Sequence, residues 1–130
     1  MKRGFAALFS LLLTSTVHAQ PIENTVAVFS GLDKITATIT SFEVPVNATK
    51  QFGSLRITPK ICYTRPITET PKTTSFVAID EVQLNGKVRK IFSGWMFASS
   101  PGLNAVEHGV YDVWLTNCKT PSADTSSGNN

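Results

Sequence analysis

At 130 residues the chain has room for one domain, which argues against a two-lobed enzyme with a cleft between halves. Hydrophobic residues make up 42%, charged residues 16%, and eight Phe are present, a composition that packs a core rather than staying disordered. The formal charge of +3 invites a nucleic-acid reading, but the N-terminus removes most of it.

Lys2 and Arg3 precede an apolar run, Phe5–Val17, and then Val17-His18-Ala19 before Gln20. A basic start, a short apolar stretch and small residues at positions −3 and −1 predict a signal peptide over residues 1–19, cleaved after Ala19. About 20 apolar residues are needed to cross a bilayer, so a membrane anchor is the poorer reading, and no transmembrane segment is expected after cleavage. No Cys follows the run, so a lipoprotein anchor is not indicated, and a buried N-terminal helix is the bland alternative. Export predicts a periplasmic or secreted protein. Cleavage removes two of the twelve basic residues, so against nine acids the balance falls to +1. The basic cluster that remains, Lys87, Arg89 and Lys90, sits beside a turn and reads as a solvated hairpin end, not a nucleic-acid footprint.

The exported part carries Cys62 and Cys118. In an oxidising compartment a lone pair in a small domain predicts a disulfide, and no neighbouring His or Cys suggests a metal site. Closing a loop of that length is worth on the order of 4 kcal/mol in the chain-entropy model.

From Asp33 onward the pattern is strand-like. Ile35, Ala37 and Ile39 share one face and Phe42, Val44 and Val46 the other, so a long strand with a bulge or bend near Thr40-Ser41 is expected. Leu55, Ile57, Ile61 and Tyr63 alternate with Arg56, Thr58, Lys60 and Cys62, and Pro59 points to an edge strand or a break. Asn85-Gly86, between the apolar arms Ser75–Leu84 and Lys87–Phe97, predicts a tight hairpin with a two-residue type I′ turn. That register places Glu81 opposite Lys90, Ile79 opposite Phe92 and Phe76 opposite Trp95. Ser100 and Pro101 suit the start of a short helix ending at Gly109, with a plain loop as the alternative. A final strand follows over Val110–Asn117, with Tyr111, Val113 and Leu115 on one face. The tail over residues 120–130 lacks large apolar residues and is expected to be disordered. Together these elements predict a single all-β domain over residues 20–119, a small sandwich or partly closed barrel.

The run Phe92–Cys118 (FSGWMFASSPGLNAVEHGVYDVWLTNC) resembles the domain of unknown function 2155 family of small exported alphaproteobacterial proteins. Phe52-Gly53-Ser54-Leu55, Cys62-Tyr63-Thr64-Arg65-Pro66 and Glu69-Thr70-Pro71 carry the likeness further, over roughly Val28 to Lys119. Gly109 departs from the pattern, which would place Pro or a small apolar residue there. The resemblance implies an envelope setting and a single all-β domain, and no activity.

His18 lies in the predicted signal peptide, so any imidazole chemistry falls to His108. Ser99 or Ser100 with His108 and Asp112 sketches a triad, but no G-x-S-x-G elbow is present and residues so close in sequence seldom converge. Glu107 with Asp112 sketches a glycosidase acid pair in a domain too small for a deep cleft. HExxH, CxxC, Walker and dinucleotide Gly motifs are missing from the chain, so no catalytic residue, metal or cofactor is assigned. The residues that suit recognition are Trp95, Asn104, Glu107, His108, Tyr111, Asp112 and Trp114, aromatic platforms beside amide, carboxylate and imidazole groups. Both Trp also suit a core beside the disulfide, and His108 also suits a hydrogen-bonded loop anchor. The loop through Arg65-Pro66 and Glu69-Thr70-Pro71-Lys72 would be tied to the same end of the domain by Cys62–Cys118. The expected function is a non-enzymatic envelope module that binds an envelope protein or a cell-wall component. A small hydrolase of peptidoglycan or another envelope glycan is the alternative.

Overall fold

A computed structural model describes residues 20–66 and 72–121, together with Gly4. The predicted signal peptide, the loop residues 67–71 and the tail from residue 122 therefore lie outside the described residues. Among the described residues nine strands form: β1 (Ile22–Glu23), β2 (Val26–Asp33), β3 (Thr38–Pro45), β4 (Lys50–Phe52), β5 (Leu55–Thr64), β6 (Thr74–Val82), β7 (Val88–Phe97), β8 (Val106–Glu107) and β9 (Tyr111–Lys119). They pair antiparallel into two sheets. The first runs β1-β5-β6-β7 with β4 also on β5, and the second runs β3-β2-β9-β8. The expected all-β domain is thus a small sandwich whose sheets do not close into a barrel. Phe29, Val44, Ile57, Val77, Ile79, Met96, Val113 and Leu115 fill the space between the sheets.

Two bulges set the phase of this core. On β5 the inward row is Leu55, Ile57 and Pro59, and the register against β6 then slips between Pro59 and Ile61. A one-residue slip moves every later side chain to the other face. Cys62 therefore turns inward, fully buried, and Tyr63 turns outward, the reverse of strict alternation from Leu55. Pro59 marks neither a break nor an outer edge strand: β5 is continuous, and Pro59 sits at the bulge, between the segments paired by β4 and β1. On β9 the inward row Val113, Leu115 slips where the register with β2 shifts at Val28/Phe29, and Cys118 follows it inside. A hydroxyl satisfies a backbone carbonyl at each irregularity: buried Ser75 Oγ donates to the Ile61 carbonyl at 2.6 Å, and Thr116 Oγ1 donates to that of Val28 at 3.1 Å. Both thiols now face each other, and Cys62–Cys118 joins the two sheets with a Cα–Cα distance of 5.7 Å. Nearby, Thr120 accepts the Thr25 N–H and donates to Asn24 Oδ1, so this first residue of the expected disordered tail is docked.

Three other expectations change. There is no bulge at Thr40-Ser41, because the chain reverses earlier: Asp33 Oδ1 accepts the N–H groups of Ile35 and Thr36, and Ala37 takes a positive φ of 57°. Ile35 and Ala37 are turn residues, and β3 keeps one phase from Thr38 onward. The Asn-Gly hairpin forms, but as a three-residue loop, Leu84-Asn85-Gly86. Gln83 N–H donates to the Lys87 carbonyl at 2.8 Å, and Gly86 alone in the loop is left-handed, with φ 82°. Asn85 instead uses Oδ1 to accept the Lys87 N–H. Ile79–Phe92 and Phe76–Trp95 pair as expected, whereas a bulge between Ile79 and Asp80 pairs Glu81 with Arg89 and Asp80 with Lys90. The segment after Phe97 is a chain of turns and not a helix.

Removing both cysteines, as Cys62→Ala with Cys118→Ala, is expected to lower stability by about 4 kcal/mol in a denaturant titration. Two free thiols in denatured, unreduced wild-type protein would contradict the bond. Ser75→Ala should cost about 0.5–1.5 kcal/mol in the same titration, because it removes the buried hydrogen bond to the Ile61 carbonyl at the bulge.

Candidate functional site

The loop after β7 travels the length of the sandwich. It leaves Phe97 beside Thr74, at the cysteine end, and returns to the second sheet at Val106, which is buried in the core opposite Val113. It then reaches the far end, where β2 and β9 meet at Asp33 and Tyr111.

His108 closes that end. Glu81 occupies the last inward position on β6, after Ser75, Val77 and Ile79, and its side chain is only 15% exposed. A carboxylate there must be paired. His108 Nε2 meets Glu81 Oε2, and the Arg89 guanidinium lies 3.8 Å from Oε1. The Val110 N–H donates to His108 Nδ1 at 3.1 Å, so Nδ1 carries the lone pair and Nε2 the proton given to Glu81. Lys34 Nζ donates to the His108 carbonyl and sits 2.8 Å from Asp112 Oδ1, an ionic contact rather than a directed hydrogen bond. The ring of Tyr111 stacks on His108 and meets Phe52 edge-on, with centroids 5.8 and 5.4 Å apart. Gly53, at φ 57°, turns the chain directly over the Tyr111 ring, where any Cβ would collide. Both imidazole nitrogens are thus engaged, and His108 is built as an anchor for the loop. An open groove of about 740 Å³ lies alongside, between β7 and the loop, bounded by Glu81, Arg89, Ile91, Phe92, Leu103 and His108 among others.

The candidate residues do not converge on one surface. His108, Tyr111 and Asp112 share the far end with Lys34 and Glu81. Trp95 is 40% exposed on the outer face of the first sheet, stacked with Tyr63 at 6.3 Å and meeting Phe76 edge-on at 5.5 Å. Trp114 alternates with buried Val113 and Leu115, which places it on the outer face of the other sheet. Neither Trp is a core residue, and they do not bracket a common site. Asn104 is exposed in the loop, and Glu107 pairs through its backbone with Asp112. Ser99 and Ser100 lie at the cysteine end, remote in the fold from His108, so the sketched triad does not form. The Arg65-Pro66 end of the second loop lies near the start of the long loop but not near its His108 end. Glu81 and Tyr63 were missed as site residues. A two-residue turn makes Glu81 a hairpin ion-pair partner, and the β5 bulge hides the outward turn of Tyr63 from a period-two pattern.

A family model described as an uncharacterised protein conserved in bacteria (DUF2155) matches residues 27–118. The chain belongs to the DUF2155 family. It is 28% identical over 88 residues to "Uncharacterized protein RP359" of Rickettsia prowazekii (strain Madrid E), covering 68% of this chain and 57% of that relative. No solved structure matches. In this DUF2155 chain the matched segment begins inside β2 and ends at Cys118, so it contains both disulfide partners, His108 and the outward aromatic cluster.

His108→Ala and Glu81→Ala should each lower stability, by about 1–3 kcal/mol, and the double variant should lose less than their sum because the two act as a pair. Nitrogen-15 shifts of the imidazole should report the Nε2–H tautomer. A protonated Nδ1 in the neutral ring would contradict the Val110 hydrogen bond.

Proposed function

We propose that this DUF2155 protein is a non-enzymatic binding module of the bacterial cell envelope, and that it contacts its partner through the outward aromatic face of the first sheet. The observation that carries this reading is the Tyr63–Phe76–Trp95 cluster, held on neighbouring strands with Trp95 well exposed. Aromatic rings brought together on an outer face, beside small hollows, stabilise the sheet and also offer a partner a large amphipathic contact area. The envelope location rests on Lys2-Arg3, the apolar run Phe5–Val17 and Ala19, together with the disulfide, which persists in oxidising compartments.

The groove beside His108 favours a second reading, a small hydrolase acting on peptidoglycan or another envelope glycan. Its chemistry is poorly served. A general base needs a free nitrogen directed at substrate, and His108 spends one on Glu81 and the other on Val110.

Trp95→Ala is expected to weaken co-purification with the envelope partner by about tenfold or more. Its melting temperature should fall by only a few degrees, from loss of the ring contacts with Tyr63 and Phe76. Turnover of purified peptidoglycan that disappears in Glu81→Gln would overturn the binding reading in favour of the hydrolase.

A further inference from the structure

Two small hollows flank the aromatic cluster and share Lys72 and Thr74. One, of about 180 Å³, is bounded by Tyr63, Trp95, Pro21, Thr64 and Arg65 as well. The other, of about 170 Å³, is bounded by Thr73, Ser99, Ser100, Phe97 and Leu103 as well. Each is smaller than the roughly 300–1,000 Å³ of a site that engulfs a whole drug-sized ligand, so together they suit a chain molecule that sets one unit in each. Resting on the binding reading above, we propose that this paired site takes a sugar chain bearing carboxylates, with adjacent sugar units on either side of Lys72.

The lining chemistry selects that class. Each hollow combines aromatic carbon with hydroxyl groups: Tyr63 and Trp95 with Thr64 and Thr74 in one, Phe97 with Thr73, Thr74, Ser99 and Ser100 in the other. A sugar ring presents apolar C–H faces and hydroxyl edges, so it covers the rings while supplying both donors and acceptors to the hydroxyls. An apolar protein side chain in the same place would strip water from those hydroxyls and return no hydrogen bond. A lysine shared by both hollows is equally foreign to the centre of a protein interface, from which lysine is depleted. Lys72, the charged group that both hollows share, is cationic and exposed and calls for an anionic ligand. Glu23 shares the outward face, opposite Tyr63 on β1, but lines neither hollow. Leu103 also brings the long loop to the second hollow, although the loop's anchor is His108 at the other end of the sandwich.

Calorimetric titration of the full exported domain tests the assignment with two probes of equal length. One is the disaccharide of N-acetylglucosamine and N-acetylmuramic acid, which carries a carboxylate, and the other is neutral diacetylchitobiose. The acidic disaccharide should bind saturably and lose affinity as salt is raised. It should bind about three- to tenfold more weakly to Lys72→Gln, and about tenfold or more weakly to Trp95→Ala. The neutral disaccharide should bind more weakly and be indifferent to Lys72→Gln. Lys72 is exposed, so that variant reports on binding even if Trp95→Ala fails to fold. Equal binding of the two disaccharides, or binding of neither, would overturn the assignment. If neither binds while Trp95-dependent capture of an envelope protein persists, the sugar assignment falls and the binding reading stands. If Trp95→Ala changes no interaction at all, both fall.

Discussion

The Cys62–Cys118 bond depends on two bulges, and much of the outer surface follows from them. Each cysteine sits on a strand whose inward row began in the opposite phase. Without the slips, Cys62 and Cys118 would point away from each other on the outer faces of opposite sheets, and no bond could form. The slip that turns Cys62 inward also turns Tyr63 outward, beside Trp95. One irregularity therefore builds both the inter-sheet crosslink and the aromatic face. Ser75, a buried hydroxyl among apolar neighbours, satisfies its own polar group by donating to the Ile61 carbonyl at the β5 bulge. A small domain buries limited apolar surface, so a covalent tie between its two sheets is a large fraction of what keeps them together.

The far end is held by charge and hydrogen bonding instead. Glu81 stands where the apolar row of β6 reaches the rim, and His108 pairs it while Lys34 binds the adjacent carbonyl and Asp112. Breaking this set leaves a partly buried carboxylate without its partner, which is why the loop is fixed to β6 rather than merely resting there. Anchoring at His108 and insertion of Val106 fix the far end of the loop, and the near end carries Ser99, Ser100 and Leu103 to the edge of the paired hollows. The His108 anchor and the aromatic face proposed for recognition are thus separated along the long axis of the sandwich.

The fold class, the Asn-Gly hairpin with its Phe76–Trp95 pair, and the disulfide were legible because composition, a turn dipeptide and a lone cysteine pair each carry a local mark. What stayed hidden were the phases. Lys60 and Thr116 are ordinary polar residues in ordinary strands, and nothing in a period-two pattern shows that each is the extra residue of a bulge. Strict alternation therefore puts Ile61 and Tyr63 on the face of Leu55 and Cys62 on the polar side. At β3 the error ran the other way, since the Asp33 side chain creates a turn that pattern reading took for a bent strand. Glu81 lay one register step from its expected partner, and its pairing with His108 spans 27 positions, which no local pattern reports. Trp95 and Trp114 looked adjacent because they flank one loop, yet their strands lie in different sheets.

The central claim is that the β5 bulge sets Cys62 in and Tyr63 out. Nuclear Overhauser contacts of the Tyr63 ring in the oxidised protein test it most directly. They should connect Tyr63 to the Trp95 indole and to Thr74, alongside disulfide-type Cβ shifts for Cys62 and Cys118. Contacts from Tyr63 to Val113 or Leu115, in the core, would contradict the bulge and with it both the crosslink and the aromatic face.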